Sequence, residues 1–177
     1  MIYQSTNIPI HMEEIYNEIA QRILAQVPEI AWIDIDQGQL ANIELRAALA
    51  YPAVLIDIDF ARCEDLGLSG QQICDANIVL KVVSQAWSDT HMHAPQDVRN
   101  MGLQHFILMR KIHKALQWWC PPHQSNLGSL RRTAARRENR TDGIAVHHAV
   151  YAANYHDTQS AHTPHTHLPG VMPNITM

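Results

Sequence analysis

Apolar positions along the first part of the chain follow two periods. Met12, Ile15, Ile19 and Ile23, joined by Tyr16, Ala20, Leu24 and Val27, fall three or four apart and predict an amphipathic helix over roughly His11 to Gln26, stopped by Pro28. From Ala31 the period drops to two: Ala31, Ile33 and Ile35 alternate with Trp32, Asp34 and Asp36, as a half-buried strand requires. Residues 37–50 join a Gln37-Gly38 turn to helix-forming composition, and their structure is left open. Pro52 opens a second strand in which Val54, Ile56, Ile58 and Phe60 form one face and Asp57 and Asp59 the other. A loop is expected over residues 61–70, followed by a long strand from Gln72 to about Ala86. Its apolar face is Cys74, Ala76, Ile78, Leu80 and Val82. Val98, Met101, His105, Leu108, Ile112, Ala115, Leu116 and Trp119 then predict a second long helix, ended by Cys120-Pro121-Pro122.

After this helix comes an arginine-rich arm, Arg131, Arg132, Arg136, Arg137 and Arg140, which local propensity leaves as either strand or helix. It runs through Asp142-Gly143 into an alternating strand ending at Asp157. Ala149, Tyr151, Ala153 and Tyr155 share that strand with Val146 and Val150, so both of its faces are apolar, and one is expected to be left for a partner. The order of elements implies an α+β fold, an α/β sandwich in which a twisted, mainly antiparallel sheet of about four strands packs on two or more helices. Residues 1–157 are expected to form a single domain. Residues 158–177, rich in His, Pro and Thr without a period, are expected to be a flexible tail.

With 177 residues, 46% of them hydrophobic, the chain can bury a core without metal or disulfides. Its three cysteines, Cys63, Cys74 and Cys120, show no ligand spacing, so reduced thiols in a cytosolic setting are expected. The N-terminus lacks the pattern of a signal peptide and no run reaches the length of a membrane helix, so a soluble protein is expected. The net charge of −4 conceals two poles. Residues 1–70 carry eleven acids against three bases, and the following residues carry ten bases against six acids. Such poles favour head-to-tail contact between copies.

Candidate chemistry is sparse. Asp57-x-Asp59 has the form of a paired-carboxylate Mg²⁺ site, but Asp34-x-Asp36 repeats it and no phosphate loop accompanies either. Among the twelve histidines, His91 and His93, the pair His147–His148, and His162, His165 and His167 invite a metal reading. His147 and His148 would point to opposite faces of a strand, which argues against a shared ligand set. The arm arginines match phosphate geometry, but aromatic stacking platforms are missing from the arm and the chain as a whole is acidic. Pairing with acids on a neighbouring copy fits them better. No enzyme activity, cofactor or bound metal is expected, and the expected interface residues are Arg131, Arg132, Arg136, Arg137, Arg140, Tyr151 and Tyr155.

The succession of a leading amphipathic helix, WIDIDQGQL, YPAVLIDIDF, QQICDANIVLKVV, a helix ending in LQWW and RRENRTDGIAVHHAVYAANYHD resembles small proteins of Bacteroidetes-type prophages. These in turn are similar to the tail terminator and tail-completion families of long-tailed bacteriophages. The resemblance covers roughly residues 10–157. It implies a structural virion protein, made in the host bacterial cytoplasm, that forms a ring, usually a hexamer. The ring caps the tail tube and joins it to the head connector, and no catalytic residues are implied. Its implied partners are therefore further copies of itself, the tail tube protein and the head–tail connector, with no membrane, no sequence-specific nucleic acid and at most passive contact with DNA in the lumen. A head-completion connector is the alternative, and a metal-dependent hydrolase using Asp57 and Asp59 is a more distant one.

Overall fold

The computed structural model describes residues 12–67, 71–86, 90–122 and 126–158. Within them lie helices α1 (Met12–Gln26), α2 (Ile43–Ala47) and α3 (Gln96–Leu116) and strands β1 (Trp32–Ile35), β2 (Ala53–Asp65), β3 (Gln72–Gln85), β4 (Arg131–Glu138) and β5 (Ile144–Asp157). The strands form one sheet in the order β1-β2-β3-β5-β4. The β1–β2 pair is parallel and the other three pairs are antiparallel. This is the expected α+β sandwich, with one strand more than anticipated because the arginine-rich arm joins the sheet.

Alternation along the strands decides what each face meets. Val54 and Ile56 of β2, Cys74, Ala76, Ile78, Leu80 and Val82 of β3, and Ala149, Tyr151, Ala153 and Tyr155 of β5 lie in one cluster with Ile15, Ile19 and Ile23 of α1 and Leu108, Ile112 and Leu116 of α3. Side chains spaced by two on a strand thus meet side chains spaced by three and four on a helix. Arg22 secures the two helices to each other: its Nε donates to the Ala115 carbonyl at 3.1 Å, and its guanidinium lies over the Trp119 ring. Tyr151 is 0% exposed in this core, and burial pushes its phenol up to about 12.

The second face of the sheet is covered at one end by the chain itself. Leu40 and Leu49, with Tyr51, pack on Ala53, Leu55, Val83, Ile144 and Val146. The segment whose periodicity was ambiguous therefore has a definite place, and Asn42 starts its short helix by accepting from the Glu44 and Leu45 amides.

Three local expectations are corrected. Residues 61–65 continue β2 past an extra residue, Ala61, which places Cys63 directly opposite Cys74. The two are joined as a disulfide, while Cys120 is free. Reduced thiols were expected from an odd number of cysteines without ligand spacing; the ladder brings two of them together. Helix α3 ends at Leu116 rather than at the Cys-Pro-Pro sequence. Gln117 is extended, Trp118 adopts φ 61°, and the Trp118 amide donates to the Leu130 carbonyl at 2.8 Å, so the backbone leaves the helix to meet the start of β4. The last turn is thereby exchanged for a tertiary hydrogen bond. The expected tail, residues 158–177, lies outside the described residues apart from Thr158.

One polar chain crosses the helix–sheet layer. Ser84 follows Val82 on the core face of β3, and its hydroxyl lies 2.7 Å from Nδ1 of His105 on α3. Nε2 of His105 meets Nδ1 of His147 on β5, and Phe106 stands edge-on to both rings. His105 is 7% exposed; burial, then the neighbouring His147 and Arg137, lower its pKa to about 4. His147 is lowered as well, by burial first and then by Arg137 and His148.

Two measurements test this packing. Leu80→Ala, at a fully buried position, should cost about 2–5 kcal/mol of unfolding free energy in urea titration, without changing the slope. A histidine whose native pKa is near 4 rather than about 6.5 gives up its proton on folding. Its contribution is complete above about pH 6.5 and is lost as pH falls through 4, a loss of about 3 kcal/mol. Urea midpoints measured from pH 7 to pH 4 should show that decline, and His105→Asn should flatten it.

Candidate assembly interface

Strand β4 is built by its neighbour. Its own sequence alternates neither cleanly as strand nor as helix, but the Asp142-Gly143 turn, with Gly143 at φ 80°, returns the chain so that Glu138 opposes Val146 and Arg131 opposes Ala152. Thr133 is an extra residue in this register, and its hydroxyl donates to the Val150 carbonyl at 3.3 Å. Arg131 through Arg137 are all exposed. Register assigns their faces: Arg132 and Arg137, opposite Tyr151 and His147, lie on the helix side, while Arg131 and Arg136, opposite Ala152 and His148, lie on the second face. Among the described residues, none of these four arginines forms an ion pair.

Arg140 differs from them. It pairs with Glu138 at 2.6 Å and with Asp142, and it donates to the Leu40 carbonyl at 3.0 Å. Asp142 also receives Arg46, and Glu138 also binds Nε2 of His148 at 2.9 Å. The Arg140 hydrogen bond holds the Asp142 carboxyl down to about 2. Glu138 is lowered first by His148 and then by Arg140. Arg140 therefore pins the β4–β5 connection to the cover over the second face.

Of the seven expected interface residues, Arg131, Arg132, Arg136 and Arg137 are gathered on one exposed strand. Arg140 is engaged within the chain. Tyr151 and Tyr155 are buried in the helix-side core, because positions 149, 151, 153 and 155 of β5 all face α1 and α3. The apolar side chains left on the second face of β5 are Val150 and Ala152, both half-buried.

Across that face the strands align in rows. One row reads Asp59, Asn77, Ala152, Arg131; the next reads Asp57, Val79, Val150, Ala134; a third reads Leu55, Lys81, His148, Arg136. Neighbouring strands lie about 4.8 Å apart, so the carboxylates of β2 and the arginines of β4 are separated by about 14 Å, beyond ion-pair reach. Lys81, between them, is taken by Asp36. Asp57 and Asp59 are exposed and form no ion pair among the described residues. Acid and base thus border a strip of short side chains.

Trp118 adds an anchor that the sequence pattern hid. It is 66% exposed and lines an open groove with Gly128, Ser129, Arg131 and Asn154, at the Arg131 end of β4. Gln117 beside it accepts from the Arg132 amide at 3.0 Å through its side chain. The paired tryptophans read as the end of an amphipathic helix; instead the helix stops at Leu116 and Trp118 follows the break.

The metal-like motifs stay dispersed. His147 and His148 point to opposite faces, as expected, toward His105 and Glu138 respectively. His91 and His93 are exposed, and no group of three or more His, Cys, Asp or Glu able to hold a metal occurs among the described residues. His162, His165 and His167 lie outside them. No helix among the described residues is long and apolar enough to cross a membrane.

No protein-family model matches the chain, and no curated protein matches it. A solved structure does: a chain of the virion of a native gene transfer agent (GTA) particle, 14% identical, aligns over 80% of this chain and 94% of its own length with a TM-score of 0.54. At that identity the likeness is one of fold.

Proposed function

We propose that this chain is a structural virion protein, a tail terminator that assembles into a ring, caps the tail tube and joins it to the head connector. The observation that carries the proposal is an edge strand bearing four exposed arginines without ion-pair partners among the described residues, on a fold that resembles a chain of a gene transfer agent virion. Charge left unpaired on one strand while carboxylates stay unpaired on another is what a subunit of a head-to-tail assembly presents before it meets its neighbours. The exposed Trp118 beside Arg131 supports the same reading, since tryptophan and arginine are the residues that most often anchor interfaces.

In this reading the protein needs neither cofactor nor catalytic residue. Its partners are further copies of itself, the tube protein and the connector, and its place is the phage neck or tail. The salt-bridged Arg140 and the buried Tyr151 and Tyr155 hold the subunit together, and the β4 arginines make the contacts.

Native mass spectrometry and light scattering test the proposal. A closed species of about six 20.1 kDa chains is expected, formed by the free protein or on isolated tail tubes. A chain that remains monomeric at high concentration, and that also fails to bind tail tubes, would remove the assignment.

A further inference from the structure

We infer that the contact between copies is made by the second face of the sheet. The basic end of one copy, Arg131 and Arg136 with Trp118 beside them, seats on the acidic end, Asp57 and Asp59, of the next. This deepens the proposed assembly and rests on it.

The argument is one of charge and geometry. Arg131 shares a row with Asp59, and Arg136 lies on the same face, two residues along β4 from the row that holds Asp57. The four-strand span keeps these groups from neutralising one another within a chain. Between them the face carries Asn77, Val79, Val150 and Ala152, whose short side chains leave a low surface that does not obstruct an incoming edge strand. The two edges of the sheet are unequal. On β1 the Ile35 amide is taken by the Asp34 carboxylate at 2.8 Å and the Ile35 carbonyl by the Gln39 amide at 2.7 Å, so the end of that edge is occupied by its own side chains. On β4 only the first residues are covered, by Gln117 and Trp118, and the stretch from Ala134 to Arg137 is exposed. A second copy of this chain supplies what that strand lacks: an accessible pair of carboxylates on one face of a strand. Seating the basic end of one copy on the acidic end of the next makes a heterologous contact, which closes into a ring where the rotation between copies allows it.

Charge exchange tests the inference by analytical ultracentrifugation and native mass spectrometry, with circular dichroism confirming that each variant folds. Arg131→Glu with Arg136→Glu, or Asp57→Lys with Asp59→Lys, should each raise the concentration for half-assembly at least tenfold. The milder pair Arg131→Gln with Arg136→Gln should raise it less. Combining all four charge reversals in one chain, or mixing the two reversed proteins, should restore assembly to within about threefold of the unaltered protein. If the unaltered protein assembles and the arginine variants assemble equally well, the inferred contact is wrong while the assembly stands. If no assembly forms under any condition, both fall. An endpoint at two copies overturns the head-to-tail arrangement, and loss of duplex DNA binding in the arginine variants without change in mass assigns the strand to nucleic acid instead.

Discussion

The antiparallel ladder between β3 and β5, continuous from Gln72 opposite Asp157 to Gln85 opposite Ile144, is the constraint on which the other contacts rest. It sets one parity for both strands. Every core-facing residue of β3 stands beside a core-facing residue of β5, so Ile78 meets Tyr151 and Leu80 meets Ala149 under α1 and α3. A slip of one residue by β5 would turn Tyr151 outward, and one by β3 would bury Asn77 in place of Ile78, changes that no helix rotation could absorb. The same parity sends Ser84 and His147 toward α3, where His105 receives both. Burying three polar groups together satisfies donors and acceptors that would each be costly alone, and it keeps His105 neutral.

From this ladder the sheet grows in two unequal directions. Toward β2 and β1 it gains the disulfide between Cys63 and Cys74, the cover formed by Leu40 and Leu49, and an outer edge occupied by Asp34 and Gln39. Toward β4 it gains only the edge strand, its arginines exposed and its free side partly met by Gln117 and Trp118. Arg140 joins the two halves, because its guanidinium reaches from the β4–β5 connection to the Leu40 carbonyl. A protein that blunts one edge at Ile35, leaves the other basic and exposes Asp57 and Asp59 on the face between has a direction built into it. That direction is the physical basis for the proposed head-to-tail assembly.

Much of this was legible in the residues. Periods of two and of three to four placed α1, β2, β3, α3 and β5 and named the buried faces of all but β5, because a half-covered strand and an amphipathic helix must each repeat their apolar side chains in their own geometry. The opposite orientation of His147 and His148 followed from the same rule. The arm was a different case. Nothing in Arg131–Arg140 distinguishes helix from strand, since an edge strand exposed on both sides needs no apolar face, and its state is decided by pairing with β5.

The candidate interface shows the division most clearly. Sequence by itself determined that five arginines cluster ahead of a strand apolar on both faces, and that acids and bases are segregated along the chain. It could not tell which arginines were spent within the fold. Tertiary structure decided that Arg140 is held by Glu138, Asp142 and Leu40, that Tyr151 and Tyr155 are core residues, and that Trp118 is outside. The reason is that local pattern reports whether a side chain suits burial or water, whereas partnership depends on which distant segments the ladder brings within a few ångströms. Arg140 and Arg136 are alike in the sequence; one finds Asp142 and Leu40 across the turn, and the other faces solvent.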